Sequence, residues 1–311
     1  MKIIAKTGKE NIAMVYIAET EDGKLIEFVE SVQPPIPREK KWVLTLSTLY
    51  GCPVGCRFCD AGNYYEGKLS KNDIRSQIDY LIASRFPDRE VPVPKFKIQF
   101  ARMGEPSFNH NVLNVLQELP ELYHAPGLIP SLSTIAPNGS DRFFERLLEI
   151  KQKIYKERFQ LQFSIHTTDI KKRDWLIPTK KWDFEKIAEY GETFYREGDR
   201  KITLNFALAD GILVDPDVLL RHFNPDKFLI KITPVNPTYQ ASENKISSYI
   251  LPDEEDYEII KALREVGYEV ILSIGELAEN HIGSNCGQHV TNYLKEKDKI
   301  KGGYTYPVQI V

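Results

Sequence analysis

The chain of 311 residues has only four cysteines, no excess of either charge, no long apolar run and no internal repeat or low-complexity tract. Each shortage excludes something. A secreted domain held by disulfides scatters its cysteines, whereas three of these, Cys52, Cys56 and Cys59, fall within eight residues. Without a run of about eighteen apolar residues, no segment is expected to span a bilayer as a helix. The first twenty residues have neither a sustained apolar core nor a small-residue cleavage site, so no targeting segment is expected and a reducing cytoplasm is the default location. Lys and Arg number 41 against 44 Asp and Glu, a formal net charge of −3. That balance speaks against a protein that grips nucleic acid over one broad basic face. The residues AVILMFWYC make up 42% and charged residues 27%. This is a globular composition and excludes a disordered or collagen-like chain.

Residues 1–40 read as a small β element, with strands at Ile12–Thr20 and Leu25–Val32 around the turn Glu21-Asp22-Gly23-Lys24. The segment Gln33-Pro34-Pro35-Ile36-Pro37 comes next as a stiff linker. From residue 41 to 311 short apolar runs alternate with amphipathic stretches. Strands are expected at Trp42–Ser47, Phe96–Ala101, Ser131–Ile135, Leu161–His166, Ile202–Ala207, Phe228–Thr233 and Glu269–Ser273. Helices are expected at Ser70–Ser84, Asn111–Leu122, Asp141–Tyr155, Asp183–Glu197, Pro216–Phe223 and Asp253–Val266, several led by an acidic or hydroxyl cap. Such alternation builds parallel βαβ units with right-handed crossovers. Six or seven units predict an α/β fold with a closed or partly closed barrel, whose chemistry sits at the C-terminal ends of the strands.

The first chemical constellation is Gly51-Cys52-Pro53-Val54-Gly55-Cys56-Arg57-Phe58-Cys59, just after the first barrel strand. Three thiolates at C-x3-C-x2-C spacing can hold three irons of a cubane and leave the fourth open, with Gly51 and Gly55 letting the backbone close around it. A structural zinc site wants four ligands, commonly two CxxC pairs, and only one close pair exists here. A ferredoxin would supply a nearby fourth cysteine.

Other candidates lie at later strand ends. Gly104-Glu105 joins a backbone rim to a carboxylate, which suits the ammonium of a bound amino acid; the plainer alternative is a turn with a solvated Glu. Ser133-Thr134, Ser164-Ile165-His166 and Thr233-Pro234-Val235-Asn236-Pro237 each set polar groups at the mouth of the barrel. Alone, each could be satisfying its own turn. The distant Cys286, in Asn285-Cys286-Gly287-Gln288-His289, could be a small buried hydrophobe or, with His289, half of a zinc site.

The cysteine array with Phe58 before its last member resembles the radical S-adenosylmethionine superfamily. Taken in order, further motifs resemble one subfamily, the RlmN/Cfr-like RNA adenine methyltransferases. These are Met103-Gly104-Glu105-Pro106 with Asn109, Ser133-Thr134, Ser164-Ile165-His166 followed by Arg173–Pro178, Pro234-Val235-Asn236-Pro237 and Cys286-Gly287-Gln288. The resemblance covers residues 41–294, and the ordered set is far more specific than any one motif. It implies a partial (β/α)6-type barrel over residues 41–311, with residues 1–40 as a small N-terminal extension. It implies a [4Fe–4S] cluster on Cys52, Cys56 and Cys59. S-adenosylmethionine would be bound by Gly104, Glu105, Ser133, Ser164, His166 and Asn236. A reductant such as flavodoxin or ferredoxin would supply the electron. Cys286 would carry a methyl group and deliver it, after hydrogen abstraction, to an sp2 carbon of adenine; a thiolate is a competent methyl acceptor.

Two departures from the subfamily stand out. Its resolving cysteine, seven residues before the first cluster cysteine, is Thr45 here, and no spare thiol exists in the chain. Asp60, just after the cluster array, is a candidate base in its stead. The subfamily's N-terminal helical domain, which helps bind structured RNA, has only the β element in its place. Substrate classes that stay open are RNA, a nucleotide and a small molecule. Two other readings stand beside the methyl transfer: a radical enzyme on a small molecule in which Cys286 is structural, and a non-catalytic zinc or iron–sulfur protein.

Overall fold

The computed structural model describes residues 1–251, 256–285, 288–291 and 303–311, with Asn63 described by its backbone alone. The chain opens on an antiparallel meander of β1 (Lys2–Lys9), β2 (Ala13–Glu19) and β3 (Leu25–Ser31), one strand more than the sequence pattern led us to expect. β3 pairs antiparallel with β4 (Lys41–Leu46), so the meander is continuous with the first barrel strand. A two-stranded ribbon of β5 (Leu49–Gly51) and β6 (Tyr65–Lys68) then flanks the cysteine array.

The parallel body consists of β4, β7 (Lys95–Phe100), β8 (Leu128–Thr134), β9 (Gln160–Ser164), β10 (Ile202–Leu208), β11 (Phe228–Pro234) and β12 (Val270–Leu272), adjacent in chain order. Helices α1 (Lys71–Arg85), α2 (Asn111–Leu122), α3 (Asp141–Ile150), α5 (Phe184–Phe194), α6 (Pro216–His222) and α8 (Glu258–Glu265) connect these strands. Shorter helices α4 (Ile170–Leu176), α7 (Tyr239–Glu243) and α9 (Leu277–Ile282) belong to the loops. Among the described residues the main sheet has eleven strands and does not close: β12 is one edge and β13 (Gln309–Ile310), paired with β1, is the other. The fold is therefore the expected α/β partial barrel.

Alternation along the strands explains the layering. Trp42, Leu44 and Leu46 of β4 and Phe96, Ile98 and Phe100 of β7 are fully buried against Ile74, Ile78 and Leu81 of α1 and Val112, Leu116 and Leu119 of α2. Residues of opposite parity turn to the inner face. α1 begins where Ser70 and Asp73 cap each other's backbone, as its sequence predicts. The cap of α3 lies one residue earlier than expected: Ser140 is the N-cap and Asp141 lies in the first turn. Of the expected helix 253–266, residues 253–255 lie outside the described ones. Among the described residues no helix is long and apolar enough to cross a membrane.

On the inner side, Ile282 of α9 packs on Val15 of β2 and Val29 of β3. Glu279 of the same helix acts electrostatically on Lys41 of β4 and Lys231 of β11. The helix thus bridges the open side of the barrel.

Candidate active site

The cysteine array lies between β5 and β6, beyond the C-terminal end of β4. Gly51 and Gly55 hold φ of +78° and +68°, in the left-handed region that glycine enters without cost. A Cβ at Gly51 would sit 2.0 Å from the carbonyl oxygen of Tyr64, so no other residue fits there. The loop is tied from outside. The Arg57 amide donates to Leu176 O at the end of α4, and Thr238 Oγ1 donates to Phe58 O.

All three cysteines are half-buried and none is in a disulfide. Burial pushes the Cys52 thiol up to about 11. It pushes Cys56 well above its ordinary value, and Cys59, Cys52 and Glu105 add to the effect by repulsion. Bunched thiols that resist ionisation beside a buried carboxylate call for positive charge, which iron supplies. Among the described residues no three His, Cys, Asp or Glu converge as ligands of one ion. A cubane asks for less, since each thiolate binds its own iron and the three need only face a common space. The donor set and the tight loop fit such a cluster.

Glu105 faces this loop and is 5% exposed, so the solvated turn is the reading that fails. Its carboxylate accepts from Ser107 N at 3.1 Å, Ser107 Oγ at 2.7 Å, Thr134 Oγ1 at 2.5 Å and Ile135 N at 2.9 Å. Burial raises its pKa and those four donors pull it back down. No cation is among them, so only neutral donors offset the burial of this carboxyl group. Gly104 precedes it with φ +97°, and its missing Cβ would strike Leu49 at 2.5 Å. Asn109 does a different job: its Nδ2 donates to Thr48 O and Leu69 O, pinning the ribbon to the strand end.

The other expected site residues come to the same end of the sheet in distinct settings. Ser133 turns to the inner face, within 3.5 Å of Gln99 Nε2, and Ser164 stands level with Asn205 of β10. His166 has φ +65°, is 4% exposed and accepts from the Ala207 amide at Nδ1, which puts its proton on Nε2. Burial, then Arg173, lowers its pKa to about 3, so the ring is neutral. It stands edge-on to Phe58 at 4.9 Å, linking the end of β9 to the cysteine loop. Asn236 lies further off, in a cleft with Glu279, Asn285 and Tyr304.

Cys286 and Gly287 lie outside the described residues, but their flanks do not. Arg102, fully buried, donates to Gly283 O and Ser284 O at 2.8 Å and to Asn285 O at 3.2 Å. Its guanidinium pairs with Glu27 of β3 at 2.7 Å, with both side chains 0% exposed. On the far flank, Gln288 Nε2 donates to Arg102 O, and the Val290 amide donates to Glu27 Oε2. Val290 shares an apolar cluster with Met103, Cys52 and Cys59. Both arms around Cys286 are therefore anchored beside the cysteine loop.

Neither Glu27 nor Arg102 stood out in the sequence. The signal was there: an acid at the centre of the apolar strand Leu25–Ser31, and an arginine directly before Met103-Gly104-Glu105. His289 is not free for a metal, since its Nε2 donates to Ile282 O at 2.7 Å. Asp60 is neither a solvated loop residue nor an available base. It is fully buried and accepts from the amides of Tyr239 and Gln240 and from Tyr304 Oη, so it rivets the cysteine loop to α7 and the C-terminal segment.

No family model matches the chain. A probable RNA methyltransferase of Ectopseudomonas mendocina is 30% identical over 268 residues, covering 84% of this chain and 69% of that protein. A probable dual-specificity RNA methyltransferase RlmN of Petrotoga mobilis is 25% identical over 291 residues, 91% of this chain and 76% of its own length. The ribosomal RNA large subunit methyltransferase N of Nitrosopumilus maritimus is 27% identical over 287 residues, 89% and 77% of the two chains. In fold, the chain is similar to the crystal structure of a radical SAM methyltransferase from Sphaerobacter thermophilus. The TM-score is 0.67 at 18% identity, over 93% of this chain and 81% of that one.

Proposed function

The chain belongs to the RlmN/Cfr-like radical S-adenosylmethionine methyltransferase family, and from that premise we propose that it transfers a one-carbon unit through Cys286 to an sp2 carbon of an adenine nucleotide in RNA. The observation that carries this reading is the convergence of three thiols, a caged carboxylate and both flanks of Cys286 at one end of the barrel. The curated relatives are named as RNA methyltransferases, which favours RNA over a free small molecule.

Cys52, Cys56 and Cys59 would hold a [4Fe–4S] cluster, which with S-adenosylmethionine supplies a 5′-deoxyadenosyl radical once a flavodoxin- or ferredoxin-type donor provides an electron. The caged Glu105 would receive the ammonium of the cofactor's methionine end, its carboxyl oxygens oriented by four donors. Ser133, Ser164 and the neutral His166 would line the rest of the cofactor's bed, with Asn236 at its margin. Arg102 would hold the Cys286 loop at a fixed distance. On α4, the exposed Lys171, Lys172 and Trp175 adjoin the cysteine loop and suit a strand whose phosphates need cations and whose bases stack.

Mass spectrometry of Cys286 tests this. Anaerobic incubation with S-adenosylmethionine is expected to leave a gain of one methylene unit on that residue. Cofactor cleavage with Cys286 unmodified rejects the methyl transfer. Thr45 favours a second reading, in which no thiol resolves the product. It is half-buried on β4, level with Gln99, and a threonine hydroxyl does not replace a thiolate as nucleophile. In that reading, protein isolated from its host carries a covalent nucleotide adduct on Cys286.

A further inference from the structure

Tyr304 lies in the last described segment of the chain, and no sequence motif marks it. Its backbone holds φ +55°, a region that residues with a bulky side chain seldom enter, so its contacts must keep it there. Those contacts come from segments far apart in the chain. The hydroxyl donates to Asp60 Oδ2 at 2.7 Å and accepts from the Gln288 amide at 3.0 Å. The ring stacks on Tyr239 of α7 at 5.4 Å and meets the His289 ring edge-on at 5.3 Å. It also lies against Gly283, where a Cβ would come within 2.9 Å of Tyr304 Cδ1.

Asp60 directly follows Cys59, Gln288 stands two residues after Cys286, and Gly283 stands three before it. One side chain thus touches the cysteine loop and both arms of the Cys286 loop. Arg102 ties the same arms to β3 through Glu27; Tyr304 adds the tie to the cysteine loop. Asp60 is a firm post, since the amides of Tyr239 and Gln240 also donate to its carboxylate, at 3.2 and 2.9 Å. A phenol has one proton to give and lone pairs to accept with, so it bridges a carboxylate and an amide at once. Asp60 and Gln288 are both buried, so water does not readily replace that hydroxyl.

We propose that Tyr304 is a positioning residue that sets the Cys286 loop at its working distance from the cysteine loop. The use of that distance rests on the function proposed above, in which Cys286 takes a methyl group from a cofactor held at the cysteine loop. There the Cys286 sulfur must meet the methyl carbon in line with the sulfonium–carbon bond that breaks. Such a displacement needs its reacting atoms about 3–3.5 Å apart, and a misplacement of about 1 Å costs on the order of a hundredfold in rate.

Tyr304→Phe keeps the ring and removes the bridge. Thr305→Val is the control, deleting a neighbouring hydroxyl that meets His281 instead. Both are compared with the parent chain as holoenzyme purified anaerobically. The first readout involves no turnover: the rate at which iodoacetamide alkylates unmethylated Cys286, followed by peptide mass spectrometry. It is expected to rise about fivefold or more in Tyr304→Phe, with the circular dichroism spectrum unchanged. The second is the rate of methylene gain on Cys286 at saturating S-adenosylmethionine. It is expected to fall about tenfold or more in Tyr304→Phe, with KM for the cofactor within about twofold. Alkylation at the parent rate, or raised as much by Thr305→Val, overturns the proposal. So does methylation at the parent rate, or a defect confined to KM. A chain that loses its fold with the hydroxyl makes Tyr304 a structural residue and overturns it too. If the parent gains no methylene unit while Tyr304→Phe still speeds alkylation, the positioning stands and the function proposed above fails.

Discussion

Folding strips His166 of water and sets Arg173 near it, which takes its pKa from 6.5 to about 3. Between those values the unfolded chain carries a proton at this residue that the folded chain does not. Stability therefore rises with pH across that window and is lost as pH falls through it. The slope from this one ring is at most about 1.4 kcal/mol per pH unit. The melting temperature is expected to fall from pH 6.5 to pH 4. In His166→Asn, which keeps a residue tolerant of the left-handed backbone, the fall is expected to be shallower, and thermal scans at matched ionic strength measure it. The sequence put His166 in the site by motif; it did not show that the ring is neutral, buried and leaning on Phe58. Residue type gives a side chain its ordinary chemistry, and the packed neighbours give it the shift.

At the scale of elements, β3 and the segment after β7 matter more than their sequences advertise. Glu27 and Arg102 form a buried pair on which four backbone groups of the 283–290 segment depend. Removing one member leaves the other charged and unpaired in the interior, a cost of about 3–5 kcal/mol. Glu27→Gln and Arg102→Met are each expected to lose roughly that much in urea unfolding. The double variant is expected to lose less than the sum, because the second change removes a charge already orphaned. Additive losses would show that the two residues act separately. Periodicity revealed the parallel strands and the longer helices, because Phe96, Ile98 and Phe100 or Val112, Val115 and Leu119 repeat at the spacing of their elements. It missed α4, α7 and α9, whose five to seven residues are too few to show a repeat and which stand by caps and tertiary contacts.

For the molecule as a whole, residues 1–31 are stitched to the barrel along β4 and supply Glu27 to the site. A chain begun at residue 32 is expected to lose the cooperative unfolding transition seen by circular dichroism, not merely to bind substrate less well. A truncated chain that melts like the full one would mean that the meander is a detachable extension.

The cysteine spacing, the Gly-Glu-Pro turn and the strand–helix rhythm were determined by the sequence alone, because each depends on residues within a few positions of one another. Contacts between distant segments were decided only by the tertiary structure. Asp60 meets Tyr304 across 244 positions of chain, and Arg102 meets Asn285 across 183. Local pattern fixes which way a side chain points from its own backbone; what it points at depends on how the sheet coils and which loop folds back over it.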